Sequence, residues 1–310
     1  MIETPTVLIL GAGASIDFGY PPGKLLYKSI VGELGNPRCK FCQFLREARF
    51  SDDEMRQFGE SLRYSGLDSV DAFLEHRAEF TKIGKAAIAE VLIRKEATRD
   101  LFGDPLNGNW YKYLFQRLDT SFDQFGNNKL GVVTFNYDRS LEQFLCVALQ
   151  NRHGKGERDC AEQLSRIPIV HVHGVLGGLP WQQNLPYRRE YAPEATTRDK
   201  RQSADMLKII HEGTDEDAAF REARELLAGA THIYFLGFGY NPTNIRRLQL
   251  HGLPGGHTIR GSTRGLTEDE CNDAEQAMSE GMPGNRLHEV RLVPEDWNVL
   301  EFLRNVESVH

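Results

Sequence analysis

The sequence predicts an α/β protein with a doubly wound, parallel, Rossmann-like sheet and a helical insertion. Short apolar runs of strand length recur along the chain without the polar alternation of a half-exposed strand. Such runs are typical of strands covered on both faces. Helical patterns separate most of these runs, and this alternation favours a parallel sheet. A long, charged, helix-rich stretch lies between the first two runs and predicts the insertion.

The individual elements follow from the same patterns. The first strand is expected at residues 7–10 and a helix at 25–34, whereas residues 41–118 have the composition of helices and form the predicted insertion. Residues 1–40 and 119–310 then make up the sheet domain. Later strands are expected at residues 131–135, 167–170, 233–236, 258–262 and 288–293. Helices are expected at 140–149, 215–228, from 241 onward, 267–280 and 295–306, with a long loop at 177–203.

Length and charge restrict the function classes. The 310 residues suffice for a full core, and 40% hydrophobic with 26% charged residues is ordinary for a globular protein. The net charge of −7 argues against a nucleic-acid surface. No apolar run approaches the roughly 20 residues that span a bilayer. We therefore expect neither nucleic-acid nor membrane binding.

The five cysteines and the N-terminus bear on compartment and metals. The N-terminal stretch carries Glu3 and no basic region, so no signal peptide is expected. An odd number of cysteines without such a signal suggests reduced thiols and a cytoplasmic protein. Cys39 and Cys42 form half of a zinc motif, but no second pair follows. No metal, and zinc in particular, is expected.

The first turn predicts a nucleotide-like ligand. Gly11 and Gly13 directly follow the first strand, and Ser15 comes next. Glycines there let the backbone approach a phosphate, toward which the following amides point. The dinucleotide fingerprint fails because Ile16 stands where its third glycine belongs, and no phosphate-loop Gly-Lys-Ser/Thr follows. A proline-stiffened second turn at 19–23 is suited to wall a pocket. The alternative is a strand and turn without any ligand.

Polar residues follow the predicted strands and are expected to meet at one edge of the sheet, where open parallel sheets bind ligands. They are Ser15 after the first strand, Thr134, Asn136 and Asp138 after the second, His173 after the third, and Asn244 after the fourth. Structural alternatives stay open. Asp138 and Ser140 are also suited to cap the next helix. His171 and His173, two apart, are expected on one face as buried histidines or a partial metal site.

Four short motifs in this chain resemble those of sirtuins and occur in the same order. They are Gly11-Ala12-Gly13-Ala14-Ser15 with Gly19-Tyr20-Pro21, then Thr134-Phe135-Asn136-Tyr137-Asp138, then His173-Gly174, then Gly237-Phe238-Gly239. The departures are Phe135 for glutamine, Gly237-Phe238-Gly239 for G-T-S, a Pro21 not followed by Phe-Arg, and a missing zinc tetrad. The segment 69–75 looks like the helical insertion of the bacterial sirtuin-like group, which includes NAD-destroying effectors of antiphage defence.

The resemblance implies NAD+ as the substrate and a role for each matching residue. His173 is the implied catalytic base, and Asn136 is implied to bind ribose hydroxyls or to position a water molecule. The implied dinucleotide-binding residues are Gly11, Ala12, Gly13, Ser15, Asp17, Pro21, Thr134, Asp138, Gly237, Phe238, Gly239 and Asn244. The loop 11–15 is expected to hold the pyrophosphate, and Asn244 with the turn 237–239 the adenosine half.

In sirtuins the zinc module helps to shape an acyl-lysine channel, and this chain lacks its cysteines. Water is therefore the expected acceptor of the ADP-ribosyl group. The expected activity is NAD+ hydrolysis to ADP-ribose and nicotinamide, in antiphage defence by NAD depletion. Because unchecked hydrolysis harms the cell, gating by a homo-oligomer or by a partner such as an ATPase is expected. An NAD-dependent deacylase, an ADP-ribosyltransferase and a non-catalytic NAD-binding module stay open. A dehydrogenase is disfavoured because the fingerprint and its acidic ribose-binding residue are missing.

Overall fold

The chain folds around a six-stranded sheet whose strands are all parallel, in the order β3-β2-β1-β4-β5-β6. The computed structural model describes residues 1–106, 108–209, 217–280, 289–293 and 296–306. The strands are β1 Thr6–Leu10, β2 Leu130–Thr134, β3 Ile169–His171, β4 His232–Leu236, β5 Thr258–Ser262 and β6 Glu289–Val293. This sheet, flanked by helices, confirms the predicted α/β Rossmann-like fold.

Helices connect all the strands. Those before β2 are α1 Gly23–Leu34, α2 Lys40–Glu47, α3 Asp52–Arg63, α4 Val70–His76, α5 Thr81–Ile93, α6 Thr98–Leu101 and α7 Trp110–Arg117. Those after β2 are α8 Ser140–His153, α9 Glu157–Leu164, α10 Thr197–Asp205, α11 Ala218–Gly229, α12 Pro242–Leu248, α13 Glu268–Ser279 and α14 Val299–Asn305. Short 3-10 helices are Ala12–Phe18, Ala78–Phe80, Phe122–Asn127 and Leu250–Gly252. None of the helices in the described ranges is long and apolar enough to cross a membrane.

The alternation of side chains along β1 separates two cores. Leu8 and Leu10 face one core, which also contains Phe58 of α3 and Trp110 of α7. Val7 and Ile9 face the other core, on the side of α11 to α13. All four β1 side chains are at most 4% exposed, so the strand is covered on both faces as its uninterrupted apolar sequence predicts. The helices before β2 thus share one core with the sheet.

Two of the differences from the sequence-based expectation have a capping signal as their cause. Residues 177–203 were expected to form a long loop, but α10 begins at Thr197 within that stretch. Thr196 and Asp199 form a reciprocal capping box that fixes the helix start, and this local signal outweighs the polar composition. The last helix begins at Val299, because Asn298 caps it and pairs with Glu301. The expected elements at 215–228, 288–293 and 295–306 lie partly outside the described residues.

Candidate active site

The turns after β1 and β4 lock together at the point where the strand order reverses. The N–H of Gly13 donates to the carbonyl of Gly237 at 2.9 Å, and that of Gly11 to Leu236 at 3.0 Å. A Cβ at Gly13 would lie 2.7 Å from Gly237 Cα, so both turns need glycine to approach this closely. The amides of Gly11, Gly13 and Ala14 all bond to the backbone of the protein. These three amides are therefore not free to bind a ligand, and the glycines serve to let the two turns approach each other closely.

The contact between these turns makes Gly237 sensitive to substitution. Gly237 has φ +55°, and a Cβ there would come within 2.2 Å of Ala14 N. We expect Gly237→Ala to destabilise the fold by about 2–4 kcal/mol, from backbone strain and overpacking together. Chemical denaturation measures the change. Gly239→Ala is the matched control from the same turn, because nothing lies within 4 Å of that position. Equal stability of both variants would contradict the contact.

Asn136, just beyond β2, has its side-chain amide oriented by two other groups and its backbone N–H held by a third. Asn136 Nδ2 donates to the carbonyl of Gly11 at 2.9 Å and to Ser15 Oγ at 3.1 Å. Its own backbone N–H donates to Thr134 Oγ1 at 3.1 Å. Among the residues that the structure describes, no hydrogen bond is made by Asn136 Oδ1. The amide nitrogen is therefore held by the protein, and the amide oxygen is presented as an acceptor for a ligand or a water molecule.

Asp138 holds Ser15, one of the two groups that bond the Asn136 side chain. It accepts hydrogen bonds from Ser15 Oγ at 2.8 Å and from the Ser140 N–H at 3.2 Å, and the Ser140 hydroxyl also donates to it. Ser140 Oγ in turn lies 2.6 Å from Tyr111 Oη. Burial raises the pKa of the Asp138 carboxyl, against the effect of these donors. Asp138 thus both satisfies the start of α8 and fixes Ser15 beside Asn136.

His173, beyond β3, is buried among aromatic rings. Its Nε2 lies 3.4 Å from Asn244 Oδ1, in the first turn of α12. Its ring packs at 5.4 Å from Phe135 and 5.8 Å from Phe220. Burial, followed by the charge of Arg247, lowers the pKa of His173 to about 4. The imidazole is therefore neutral at pH 7, and one of its ring nitrogens is a hydrogen-bond acceptor.

His171 has entirely different partners from His173, so the two histidines do not act as the pair on one strand face that their spacing suggests. Strand β3 ends at His171, which ends the period-2 alternation before His173. His171 Nδ1 lies 3.0 Å from the Asn136 carbonyl and Nε2 lies 2.7 Å from Glu142 Oε1. Burial alone opposes its protonation, but Glu142 outweighs burial and raises the pKa of His171. His171 therefore holds the backbone carbonyl of Asn136, whereas Gly11 and Ser15 hold its side chain.

The remaining predicted residues take varied positions. Thr134 and Phe238 are buried, and Phe238 stacks edge-on against Phe135 with 4.9 Å between ring centres. Asp17 and Pro21 are half-buried in and after the 3-10 helix, whereas Ala12 and Gly239 are exposed. Asn244 lies beside His173. The structure therefore brings Ser15, Asn136, Asp138, His173 and Asn244 to one edge of the sheet.

A buried charge cluster next to this site has no counterpart in the sequence analysis. Arg139 and Glu96 are both fully buried and joined by two hydrogen bonds, at 3.0 and 2.9 Å. Arg189 donates to the same carboxylate at 2.6 Å. The Arg139 guanidinium also donates to the backbone carbonyls of residues 177, 178, 189 and 190. We define Glu96, Arg139 and Arg189 as the buried charge cluster, which fixes the segment 177–190.

That fixed segment reaches the proline-stiffened turn. Tyr191 Oη lies 2.7 Å from Tyr20 Oη, and the Arg139 guanidinium stacks over the Tyr191 ring at 5.8 Å. Tyr20 is 3% exposed, so the second turn is anchored rather than free to move. The only feature of the sequence that pointed to the buried charge cluster was the position of Arg139 directly after Asp138. Nothing in the sequence indicates that Glu96 and Arg189 would join it.

The cysteine pair lies away from this site. Cys39 caps α2, and the thiols of Cys39 and Cys42 both donate to the carbonyl of Glu33, at 3.3 and 3.5 Å. Within the described ranges, no group of three or more histidine, cysteine or acidic side chains is arranged to hold a metal ion.

Comparison with known proteins adds no relative. No protein-family model matches the chain, and a search of curated proteins finds no significant match.

Proposed function

We propose that this protein is an NAD+ glycohydrolase that cleaves NAD+ to ADP-ribose and nicotinamide. The observation that carries the proposal is that Ser15, Asn136 and His173 follow the carboxyl ends of the neighbouring parallel strands β1, β2 and β3, with Ser15 bonded to Asn136 and His173 beside Asn244, which follows β4. Dinucleotides bind to doubly wound sheets at the switch point where the strand order reverses. The motif order that resembles sirtuins supports NAD+ as the dinucleotide.

The chemistry requires little proton transfer to the leaving group. Nicotinamide is already cationic in NAD+, and cleavage of its bond to ribose produces an oxocarbenium-like ribose. The protein then needs to orient a nucleophile and to avoid repelling the developing positive charge. Neutral His173 suits this site, since its depressed pKa keeps an imidazolium away from that charge. It is the proposed acceptor of a proton from water or from a ribose hydroxyl.

Asn136 is the proposed residue that positions the attacking water. Its Nδ2 is held by Gly11 and Ser15, and this leaves Oδ1 as a fixed acceptor. A water molecule that donates to Oδ1 presents its lone pair to the ribose. Asp138 keeps Ser15 in place through a 2.8 Å hydrogen bond. Gly11, Gly13 and Gly237 pack backbone against backbone and hold the two turns together beside these residues.

The proposed biological role follows from the resemblance to the bacterial sirtuin-like group. Depletion of NAD+ in an infected cell is the proposed antiphage action, in the cytoplasm. The activity is gated by homo-oligomerisation or by a protein partner such as an ATPase. Water is the proposed acceptor of the ADP-ribosyl group, because the chain lacks the zinc module with which sirtuins shape an acyl-lysine channel.

Replacing Asn136 tests the proposal directly. We expect Asn136→Ala to lower NAD+ hydrolysis by about 10²–10³-fold, as the loss of one well-placed catalytic hydrogen-bonding group does. The measurement is release of nicotinamide and ADP-ribose from NAD+ by the purified protein, with size-exclusion chromatography to detect assembly. Asn151→Ala, an exposed asparagine of α8, is the matched control and should keep full activity.

Two outcomes would overturn the assignment. NAD+ hydrolysis equal in wild type and Asn136→Ala would remove Asn136 from the reaction. Formation of O-acetyl-ADP-ribose from an added acetylated peptide would assign the protein to the deacylases instead. Thermal unfolding of each variant separates loss of chemistry from loss of fold.

A further inference from the structure

A cavity opens beside β3, the outer strand of the sheet, away from the reversal of strand order. It has a volume of about 680 Å³ and lies between α8, α9, the start of β3 and residues 180–184. Leu145, Leu164 and Ile167 supply apolar wall, and Trp181 lies on the same surface. This volume is within the range of pockets that bind small molecules, about 300–1,000 Å³. We call it the edge cavity.

The charges of the edge cavity favour a cation. Its lining holds four glutamates, Glu142, Glu157, Glu162 and Glu222, against one arginine, Arg158. Glu142 differs from the others because it is only 3% exposed, whereas they lie at the surface. Its Oε1 accepts a hydrogen bond from His171 Nε2 at 2.7 Å. A carboxylate has about four acceptor positions on two oxygens, so Glu142 keeps capacity for a further donor.

Trp181 supplies a second polar group. Its Nε1–H is buried and has no hydrogen-bond partner among the residues that the structure describes. A buried donor without a partner costs about 1–3 kcal/mol, which an acceptor on a ligand would recover. The indole face also attracts cations, guanidinium above all. The lining of the edge cavity thus contains a buried carboxylate, an indole whose N–H has no partner in the described structure, and an apolar wall.

We propose that the edge cavity binds a guanidinium-bearing ligand and that Glu142 and His171 link its occupancy to Asn136. A planar guanidinium forms two parallel hydrogen bonds to one carboxylate and stacks on an indole. An acceptor oxygen elsewhere on the ligand takes the Trp181 N–H. The link runs through His171, whose other ring nitrogen lies 3.0 Å from the Asn136 carbonyl. A cation bound to Glu142 offsets the charge of the carboxylate and weakens its hydrogen bond to His171, which changes how firmly Asn136 is held.

Calorimetric titration of the full chain tests the binding. The probe is Nα-acetylarginine amide, which has a guanidinium and carbonyl acceptors, and the matched ligand is the uncharged isostere Nα-acetylcitrulline amide. We expect saturable binding of the first and at least about tenfold weaker binding of the second, since charge-assisted bonds are roughly twice as strong. Agmatine, a free amine without the carbonyls, separates a peptide-like from a small-molecule source. Equal binding of the charged and uncharged probes, or no binding of either, would overturn the site.

Variants localise the effect. Glu142→Gln and Trp181→Phe should each weaken binding of the arginine probe by about tenfold or more, through loss of the charge or of the N–H donor. Glu225→Gln, an exposed glutamate of α11 outside the lining, is the charge-matched control and should bind normally. Trp181→Phe keeps an aromatic ring but lacks the N–H, so it tests the tryptophan side of the site even where Glu142→Gln fails to fold. Unchanged binding in Trp181→Phe and in folded Glu142→Gln would contradict the assignment.

The link to Asn136 rests on the proposed function and has its own readout. NAD+ turnover with and without the arginine probe should change in wild type and in Glu225→Gln but not in Glu142→Gln. Unchanged turnover in wild type at saturating probe would overturn the link. A protein that binds the probe yet hydrolyses no NAD+ under any condition would contradict the proposed function and leave the binding result standing.

Discussion

His173→Ala is expected to lower NAD+ hydrolysis by about 10²–10⁴-fold, the usual contribution of a general base. The ring lies beside Asn244 and between Phe135 and Phe220, and no other described histidine has these neighbours. His171 cannot take over, because Glu142 and the Asn136 carbonyl occupy its two nitrogens. Release of nicotinamide under saturating NAD+ is the measurement, and exposed His251→Ala is the control. Full activity in His173→Ala would remove the base from the mechanism.

The pH dependence gives an independent check on His173. Because the pKa of the folded-state imidazole is about 4, the neutral base is already dominant at pH 5 and stays so at higher pH. The acidic limb of turnover should therefore lie near pH 4 and not near the ordinary histidine value of about 6.5. A limb centred near 6.5 would mean that another histidine controls the reaction.

The same shift has a consequence for stability. The unfolded chain protonates His173 near pH 6.5, whereas the folded chain does so only near pH 4. Between these values the unfolded state binds more protons, so stability falls as the pH falls from about 6.5 toward 4. The free energy of unfolding should be measured by denaturation at pH 7 and pH 5. Between these two pH values it should fall less in His173→Ala than in wild type.

Glu96→Gln is expected to destabilise the fold by about 3–5 kcal/mol, the largest stability effect that we foresee. The substitution removes the negative charge that faces Arg139 and Arg189, which leaves two buried guanidinium groups without a counter-ion. Breaking a buried pair in this way is far more costly than the pair is worth intact. Urea denaturation followed by circular dichroism measures the loss.

An exposed ion pair provides the control for Glu96→Gln. Lys24 and Asp68 lie 2.8 Å apart with both side chains more than 60% exposed. Asp68→Asn should change stability little, because exposed pairs are screened by solvent. If the two substitutions have similar effects, the buried charge cluster does not anchor the segment 177–190. A large loss in Glu96→Gln together with reduced NAD+ turnover at low denaturant would connect that anchor to the site.

Local sequence patterns predicted the elements of the site but not their partners. The apolar runs placed β1, β2 and β4 within a residue or so, because burial on both faces leaves a strong local signal. The positions of Asn136 and His173 after their strands followed from the same pattern. The separation of His171 from His173 did not follow, because the end of β3 depends on its pairing with β2.

Polar contacts between residues far apart in the chain could not be predicted from the sequence, for a physical reason. Glu96 and Arg139 are both charged residues in helix-rich surroundings, and composition alone places such residues at the surface. Only the fold brings them together with Arg189 in the interior. Likewise, the glycines of the first turn suggested a ligand, but their contact with Gly237 arises from the adjacency of β1 and β4.

The position of β1 in the centre of the sheet has a consequence for synthesis of the chain. Thr6 pairs with Leu130 on one side and with His232 on the other, more than two hundred residues later. At translation rates of about 5–20 residues per second, roughly ten to forty-five seconds separate the synthesis of Thr6 from that of His232. Until β4 emerges, the turn at Gly13 has no Gly237 to close against. A nascent chain therefore cannot complete the candidate site until β4 has been synthesised.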